Sequence, residues 1–328
     1  MKKVLFLALA AAAMVSCSNE DVISLNQEVI GFENAFVDNS TRVTDPSITS
    51  ANILTNGQVF NVYGTTKGDG AGETLVQIFN GVPVTYTDAT SSWGYAAGYN
   101  QYWIEDNLYN FAALVNATPA NVVCGTDLLP KTVKFTSADD ATDLLYARST
   151  TDIEGQSTGN NDPVAFTFSH ILSKVYFSFK NEGAAGSGYS YRVTNVKIDN
   201  AYKTATCDVT TFATDPEDCW SGYEGARSAV AFGNINGDVA GGATVDSENA
   251  RLLIPNAYTD LNISCTVETL YGSSVVNTES YALTNQTITL VAGHAYNFIL
   301  SKGAPGDLIS FTVAGVNDWS EDAPANLN

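Results

Sequence analysis

The feature that most constrains this chain is a set of short runs in which apolar and polar residues alternate. Val175, Phe177 and Phe179 alternate with Tyr176, Ser178 and Lys180, and Tyr189, Tyr191 and Val193 alternate with Ser190, Arg192 and Thr194. The same spacing recurs at Tyr296, Phe298 and Leu300, and at Ile309, Phe311 and Val313. Side chains two apart share one face of an extended strand, so this period, carried by β-branched and aromatic residues, specifies half-buried strands. No long capped stretch repeats apolar residues at i, i+3, i+4 and i+7, as an amphipathic helix requires. Glycine-rich and asparagine-rich segments punctuate the runs, at residues 181–188, 303–307 and 234–238. The last contains Asn236-Gly237, a pair that favours a tight hairpin. Short strands spaced near ten residues apart predict β-sandwiches or small barrels.

The two ends of the chain differ from this pattern. Lys2 and Lys3 precede an apolar run over residues 4–15. That run is too short for a membrane-spanning helix, which takes about 20 residues, and it has the size of a signal-peptide core. It ends in Met14, Val15, Ser16 and Cys17, which together resemble a bacterial lipobox, where the cysteine thiol takes a diacylglycerol and becomes the new N-terminus. Ordinary secretory cleavage nearby, with Cys17 incidental, is the alternative; the lipoprotein reading is the expected one. Ser18, Asn19, Glu20 and Asp21 resemble the signal that sends some lipoproteins to the outer face of the outer membrane; a solvated tether reads the same way.

Removing Lys2 and Lys3 with the leader takes the formal charge from −20 to −22. With no basic stripe, the phosphate-neutralising footprint of a nucleic-acid binder is missing. Roughly 310 mature residues exceed one typical domain. The best boundary is the polar, glycine-bearing stretch 152–162. The expected organisation is therefore a signal peptide (1–16), a lipidated tether (17–28), and two β-sandwich domains over 29–160 and 161–328. Cys124, Cys207, Cys219 and Cys265 remain, and a chain that crosses the envelope can pair them in three ways. With no C-x-x-C and only two histidines, no metal site is expected.

Two common catalytic signatures are absent: there is no P-loop and no H-E-x-x-H. His170 falls among aromatics on one face of a strand, where a structural hydrogen bond is the expected role, and His294 follows Gly293 at a turn. Asp139-Asp140 imitates a glycosidase couple, but such pairs arise by chance among 35 acidic residues. No catalytic residue and no cofactor is expected. The loops around Asp69 and Glu73 and around Asn234, Asn236 and Asp238 space oxygens like a calcium loop but lack the closing glutamate of an EF-hand; turn chemistry explains them better. Trp93, Tyr95, Tyr99, Tyr102, Trp103, Tyr109 and Phe111 form an aromatic group that stacks on sugars in one reading and packs a core in the other. Core packing is the expected reading.

Residues 28–36, containing Val29, Ile30, Phe32 and Phe36, read as a first strand. Arg42, the first arginine, follows in a polar stretch and is protease-accessible on composition. Taken alone it is an ordinary surface arginine.

Several of these segments, in order, resemble the fimbrillin family, the pilins of anaerobic Gram-negative bacteria. They are the lipobox at Cys17, Thr41-Arg42, Trp93 with Tyr102-Trp103, and Tyr109 with Phe111. Next come Asp143 to Ala147, Phe166 with Phe168, His170 and Lys174, and Leu253 with Pro255. Gly293 with Tyr296 and Phe298, the Ile309 run, and Val316 to Trp319 close the series. The resemblance implies an all-β fold of two tandem transthyretin-like β-sandwich domains. It also implies a mechanism: a lipoprotein precursor in the outer membrane is cut between Arg42 and Val43 by an arginine-specific protease. The cut removes the lipid and the strand carrying Val29, Ile30, Phe32 and Phe36. The vacated groove accepts a strand from another pilin subunit, with Ile309, Phe311 and Val313 as candidate donor. The competing expectations are a monomeric surface lipoprotein or tip adhesin that binds glycans or host proteins, and, on carboxylate abundance alone, an envelope hydrolase.

Overall fold

The computed structural model of the chain describes residues 28–37, 53–55, 57–70, 72–149 and 151–318. Cys17, Arg42 and Val43 lie outside the described residues. The first ten strands are β1 (Phe32–Val37), β2 (Val59–Lys67), β3 (Val76–Thr87), β4 (Ser92–Gly94), β5 (Leu108–Val115), β6 (Val122–Cys124), β7 (Pro130–Thr136), β8 (Leu145–Arg148), β9 (Ile153–Glu154) and β10 (Val164–His170). They are followed by β11 (Ser173–Asn181), β12 (Tyr189–Ala201), β13 (Thr204–Asp208), β14 (Trp220–Glu224), β15 (Ser228–Gly233) and β16 (Val239–Ala240). The last six are β17 (Thr244–Asp246), β18 (Arg251–Leu253), β19 (Asn256–Tyr271), β20 (Ser274–Leu290), β21 (His294–Lys302) and β22 (Ser310–Asp318). The α-helical turn α1 (Val209–Phe212) is capped by the Asp208 carboxylate, which accepts from the amides of Thr210 and Thr211; a side-chain acceptor there satisfies amides that the turn leaves unpaired.

The protein is thus an all-β protein, as the alternation requires. In β10, Val164, Phe166, Phe168 and His170 point inward while Ala165, Thr167 and Ser169 face solvent. In β11, Val175, Phe177 and Phe179 are fully buried. Turn glycines sit where only glycine is comfortable: Gly272, at φ +60°, closes the tight β19–β20 hairpin in which Tyr271 faces Ser274. The Asn236-Gly237 turn also forms, with Gly237 at φ +80°. It does not make a hairpin, however. β15 and β16, the strands on either side, both pair with β12 rather than with each other.

Four sheets result. The first runs β1-β10-β8-β5-β2-β3-β4, with β9 added against β5. A second runs β17-β11-β21-β22, with β18 beside β11, and a third runs β15-β12-β19-β20, with β16 beside β12. The fourth, β14-β13-β7-β6, draws strands from both sides of residue 160. The polar stretch 152–162 carries β9 and the connection to β10, and β10 itself joins the first sheet.

Three cores follow from this layout. The second and third sheets enclose one, built on Val175, Phe177, Phe179, Val193, Ile263, Phe298 and Leu300. Within the first sheet, β5 is buried on both faces. Tyr109, Phe111, Ala113 and Val115 of β5 enter an aromatic core together with Phe60, Phe79, Phe166 and Phe168. Ala112 and Leu114 of the same strand enter a core shared with Val133, Phe135, Ala205, Cys207 and Trp220 of the fourth sheet. At about 1.5–3 kcal/mol for each large side chain withdrawn from water, a strand buried on both faces is a major contributor to the fold.

Candidate functional site

Ile30 and Phe32 carry the segment 28–37 into the aromatic core, and its contacts define the candidate site. Its backbone is held from two sides. β1 lies parallel to β10, with Phe32 opposite Val164 and Phe36 opposite Thr167, and the Val164 amide donates to the Gly31 carbonyl at 2.9 Å. On the other side, the Ile30 amide donates to the Gln101 carbonyl at 2.9 Å. The Trp103 amide donates to the Glu28 carbonyl at 2.9 Å, and Val29 bridges Tyr102. The Ile30 carbonyl also accepts from the Tyr95 hydroxyl at 2.7 Å. Burial raises the Tyr95 hydroxyl above the usual phenol range, which keeps it protonated as that donor.

Side chains follow the strand period. Ile30 is fully buried and Phe32 is 5% exposed, whereas Val29, between Glu28 and Ile30, is 42% exposed and faces outward. The Phe32 ring packs against five others. Its centroid is 5.6 Å from Phe79, 5.8 Å from Tyr95, 6.0 Å from Phe166, 6.1 Å from Phe111 and 6.3 Å from Phe60. Edge-to-face packing dominates, the arrangement that the quadrupoles of aromatic rings favour. At the upstream end the Glu28 carboxylate accepts from the Asn161 side chain at 3.0 Å and from the Gly159 amide at 2.9 Å. These donors, Asn161 first, hold its carboxyl below the ordinary range.

Taking away this segment would leave a trench lined by Phe60, Phe79, Tyr95, Phe111 and Phe166, with unpaired backbone groups on β10 and on residues 101–103. Open apolar surface and unpaired amides both cost free energy, so such a trench has high affinity for any strand that fits it.

The candidate donor residues lie at the other end of the chain. Ile309 is 6% exposed, and Phe311 and Val313 are half-buried against the core between the second and third sheets. Phe311 meets Phe298 edge-to-face at 5.3 Å. β22 pairs antiparallel with β21 alone and forms the edge of its sheet. Strand addition needs a segment held on one side only.

The sequence matches the family described as fimbrillin-like over residues 41–319. The chain belongs to the fimbrillin-like family. No curated protein matches it. Among solved structures, this fimbrillin-like chain is similar to a fimbrial protein from Bacteroides vulgatus ATCC 8482, at 16% identity and a TM-score of 0.58, over 89% of this chain and 99% of that one. It is also similar to a candidate cell adhesion protein from Bacteroides ovatus ATCC 8483, at 17% identity and a TM-score of 0.54, over 90% and 99% of the two chains. At these identities the likeness establishes the fold.

The remaining candidate residues of the fimbrillin-like chain divide by burial. Trp93, Trp103, Tyr109 and Phe111 belong to the aromatic core, with Trp103 edge-on to Tyr109 at 4.7 Å. Tyr99 and Tyr102 are exposed at 49% and 41%. His170 is buried, with Nδ1 2.8 Å from Asp143 Oδ2, an ion-pair geometry that ties β10 to the residues before β8. Asp139 accepts from the Ala141 and Thr142 amides and Asp140 pairs with Lys203, so this acidic pair is committed to a turn and an ion pair. Asp238 is engaged by Arg192, and Asn234 by Glu248. Among the described residues no group of three or more His, Cys, Asp or Glu comes together as a metal site would require.

Sequence reasoning missed Asn161, Tyr95 and residues 101–103 as partners of the first segment. No local pattern marks them, because each meets the segment across 65 to 133 residues of chain.

Proposed function

We propose that this chain is the precursor of a structural subunit of a bacterial surface fimbria. It is exported as a lipoprotein modified at Cys17 and displayed on the outer membrane. A cut between Arg42 and Val43 then releases the segment carrying Val29, Ile30, Phe32 and Phe36. Another subunit fills the vacated trench with a strand, and Ile309, just before β22, with Phe311 and Val313 of β22, is the donor. The observation that carries this reading is the placement of Phe32. A residue near the chain's beginning sits at the centre of five aromatic rings, only ten residues before the arginine. The family match starts at residue 41 and leaves that segment outside it, which also supports the reading. A contact that joins one end of a subunit to the other end of the next does not close, so it generates a fibre. Limited trypsin treatment followed by electron microscopy tests this. Fibres are expected after the cut, and persistent monomers with the cut complete would remove the reading.

A second reading, a monomeric surface lipoprotein or tip adhesin, draws on exposed Tyr99 and Tyr102, since flat exposed rings can stack on sugars. A glycan array tests it with a Tyr99→Ala/Tyr102→Ala variant as control. Trp103 is unsuitable as a control because it is a core residue. Binding lost in the variant supports the adhesin reading; silence across the array removes it.

A further inference from the structure

Two cysteines meet in the core beneath the fourth sheet. Cys207 lies in β13, and Cys219 sits in the bend just before β14. In the ladder Cys207 faces Trp220, and the Asp208 amide donates to the Cys219 carbonyl at 2.8 Å. The cysteines are therefore diagonal neighbours across one antiparallel pair. Ladder geometry places the Cα atoms of such neighbours roughly 5–7 Å apart, the separation a disulfide accepts. In a regular strand, neighbours of this kind would point to opposite faces. Because Cys219 precedes the strand in a bend, its side chain turns into the same core as Cys207. Cys207 is 0% exposed and Cys219 is 1% exposed. The Cys219 thiol donates to the Pro216 carbonyl at 3.4 Å. The other two cysteines are placed differently. Cys265 belongs to the core between the second and third sheets, and Cys124 is half-buried at the end of β6, 3.8 Å from the Gln77 side-chain nitrogen.

We propose that Cys207 and Cys219 form a disulfide that closes the connection between β13 and β14, while Cys124 and Cys265 stay as thiols. The oxidant is a small or protein disulfide of the oxidised dithiol class. One cysteine thiolate attacks a sulfur of that disulfide, and one oxidant thiolate leaves. The other cysteine thiolate then attacks the mixed disulfide at the protein sulfur, joining Cys207 Sγ to Cys219 Sγ and releasing the second oxidant thiolate. The cysteines lose two electrons and two protons, and the oxidant is reduced to two thiols.

Burial sets the timing. It pushes the Cys207 thiol well above its usual range, and only the thiolate attacks a disulfide. In the folded protein both partners are sealed, so the bond forms while the chain folds and the connection is still open. Once made, the same burial shields it from external thiols. The bond shortens the free chain between β13 and β14 in the unfolded ensemble and so favours the folded state. It also fixes the hairpin that joins strands from the two halves of the chain into one sheet.

The test uses the full chain without its leader and needs no fimbria, so its outcome is independent of the assembly reading. The protein is reduced in denaturant, refolded in a mixture of oxidised and reduced glutathione, alkylated with iodoacetamide, and mapped by non-reducing peptide mass spectrometry. The expected result is one peptide pair linking Cys207 to Cys219, with Cys124 and Cys265 alkylated. Melting of the oxidised form should lie roughly 5 °C above that of the reduced form. Cys207→Ala and Cys219→Ala should each abolish that difference, and the double variant should do no more than either. Four alkylated thiols after oxidative refolding, or a linkage through Cys124 or Cys265, would overturn the proposal. The mapping is done on the unmutated chain, so a variant that fails to fold does not obscure it.

Discussion

Truncating Phe32 to alanine tests whether the first segment is an integral part of the core. The ring is 5% exposed and touches Phe60, Phe79, Tyr95, Phe111 and Phe166. Withdrawing an aromatic side chain of about 150–250 Å² from water at about 25 cal/mol per Å² gives roughly 4–6 kcal/mol. Five rigid rings around the site leave little room for collapse, so a cavity cost adds to the transfer loss. Measured Phe→Ala losses of about 3–5 kcal/mol set the scale. Urea unfolding of the uncut chain, followed by tryptophan fluorescence, should show a midpoint lowered by about 1–2 M. After trypsin cleavage the segment is held only by these contacts, so the same loss should weaken its retention by roughly three decades at about 1.4 kcal/mol per decade. A stability loss below about 1 kcal/mol would mean that Phe32 does not anchor the segment, and the trench argument would fail with it.

Further outcomes follow from other contacts. The Glu28 carboxyl is held below its ordinary value of 4.5 by Asn161 and Gly159, so its contribution is present above that value and is lost as pH falls through the lower folded value. Retention of the cut segment should weaken with acidification in that window, and Glu28→Gln should flatten the dependence; an unchanged profile would discount the anchor. A β-carbon on Gly64 would meet the Phe79 and Phe111 rings at 2.9 Å, so Gly64→Ala should cost about 1–3 kcal/mol by overpacking in the same unfolding assay. Phe311 is half-buried, so Phe311→Ala should lower monomer stability by about 1–2 kcal/mol yet suppress fibre yield far more, as electron microscopy of trypsin-treated protein would show. Equal fibre yield would exclude Phe311 as a donor contact.

Much of this fold was legible because period two is a physical necessity in a sheet with one wet face. β10, β11 and β21 declare themselves this way. The two-faced burial of β5 was harder to read: Phe111, Ala112, Ala113, Leu114 and Val115 form an unbroken apolar run that fits a buried strand or a buried helix turn equally well. The Asn236-Gly237 pair specifies a reversal, and it delivers one. Which strands pair beyond the reversal depends on long-range partners, and β12 takes both neighbours. The polar stretch 152–162 marks solvent exposure correctly, but polarity carries no information about which sheet the next strand joins, and β10 joins the first. At the candidate site, residues 28–36 were readable as a strand, and the structure turns Ile30 and Phe32 inward. Val29, between Glu28 and Ile30, faces the other way and is exposed. The anchors Asn161 and Tyr95 were invisible, since a carboxylate seated on a distant asparagine leaves no local pattern.

The central claim is that the first strand is discarded at the cell surface. Mass spectrometry of the N-terminus of material sheared from cells tests it most directly. The account predicts a terminus at Val43. A lipidated Cys17 terminus with no shorter form would contradict it.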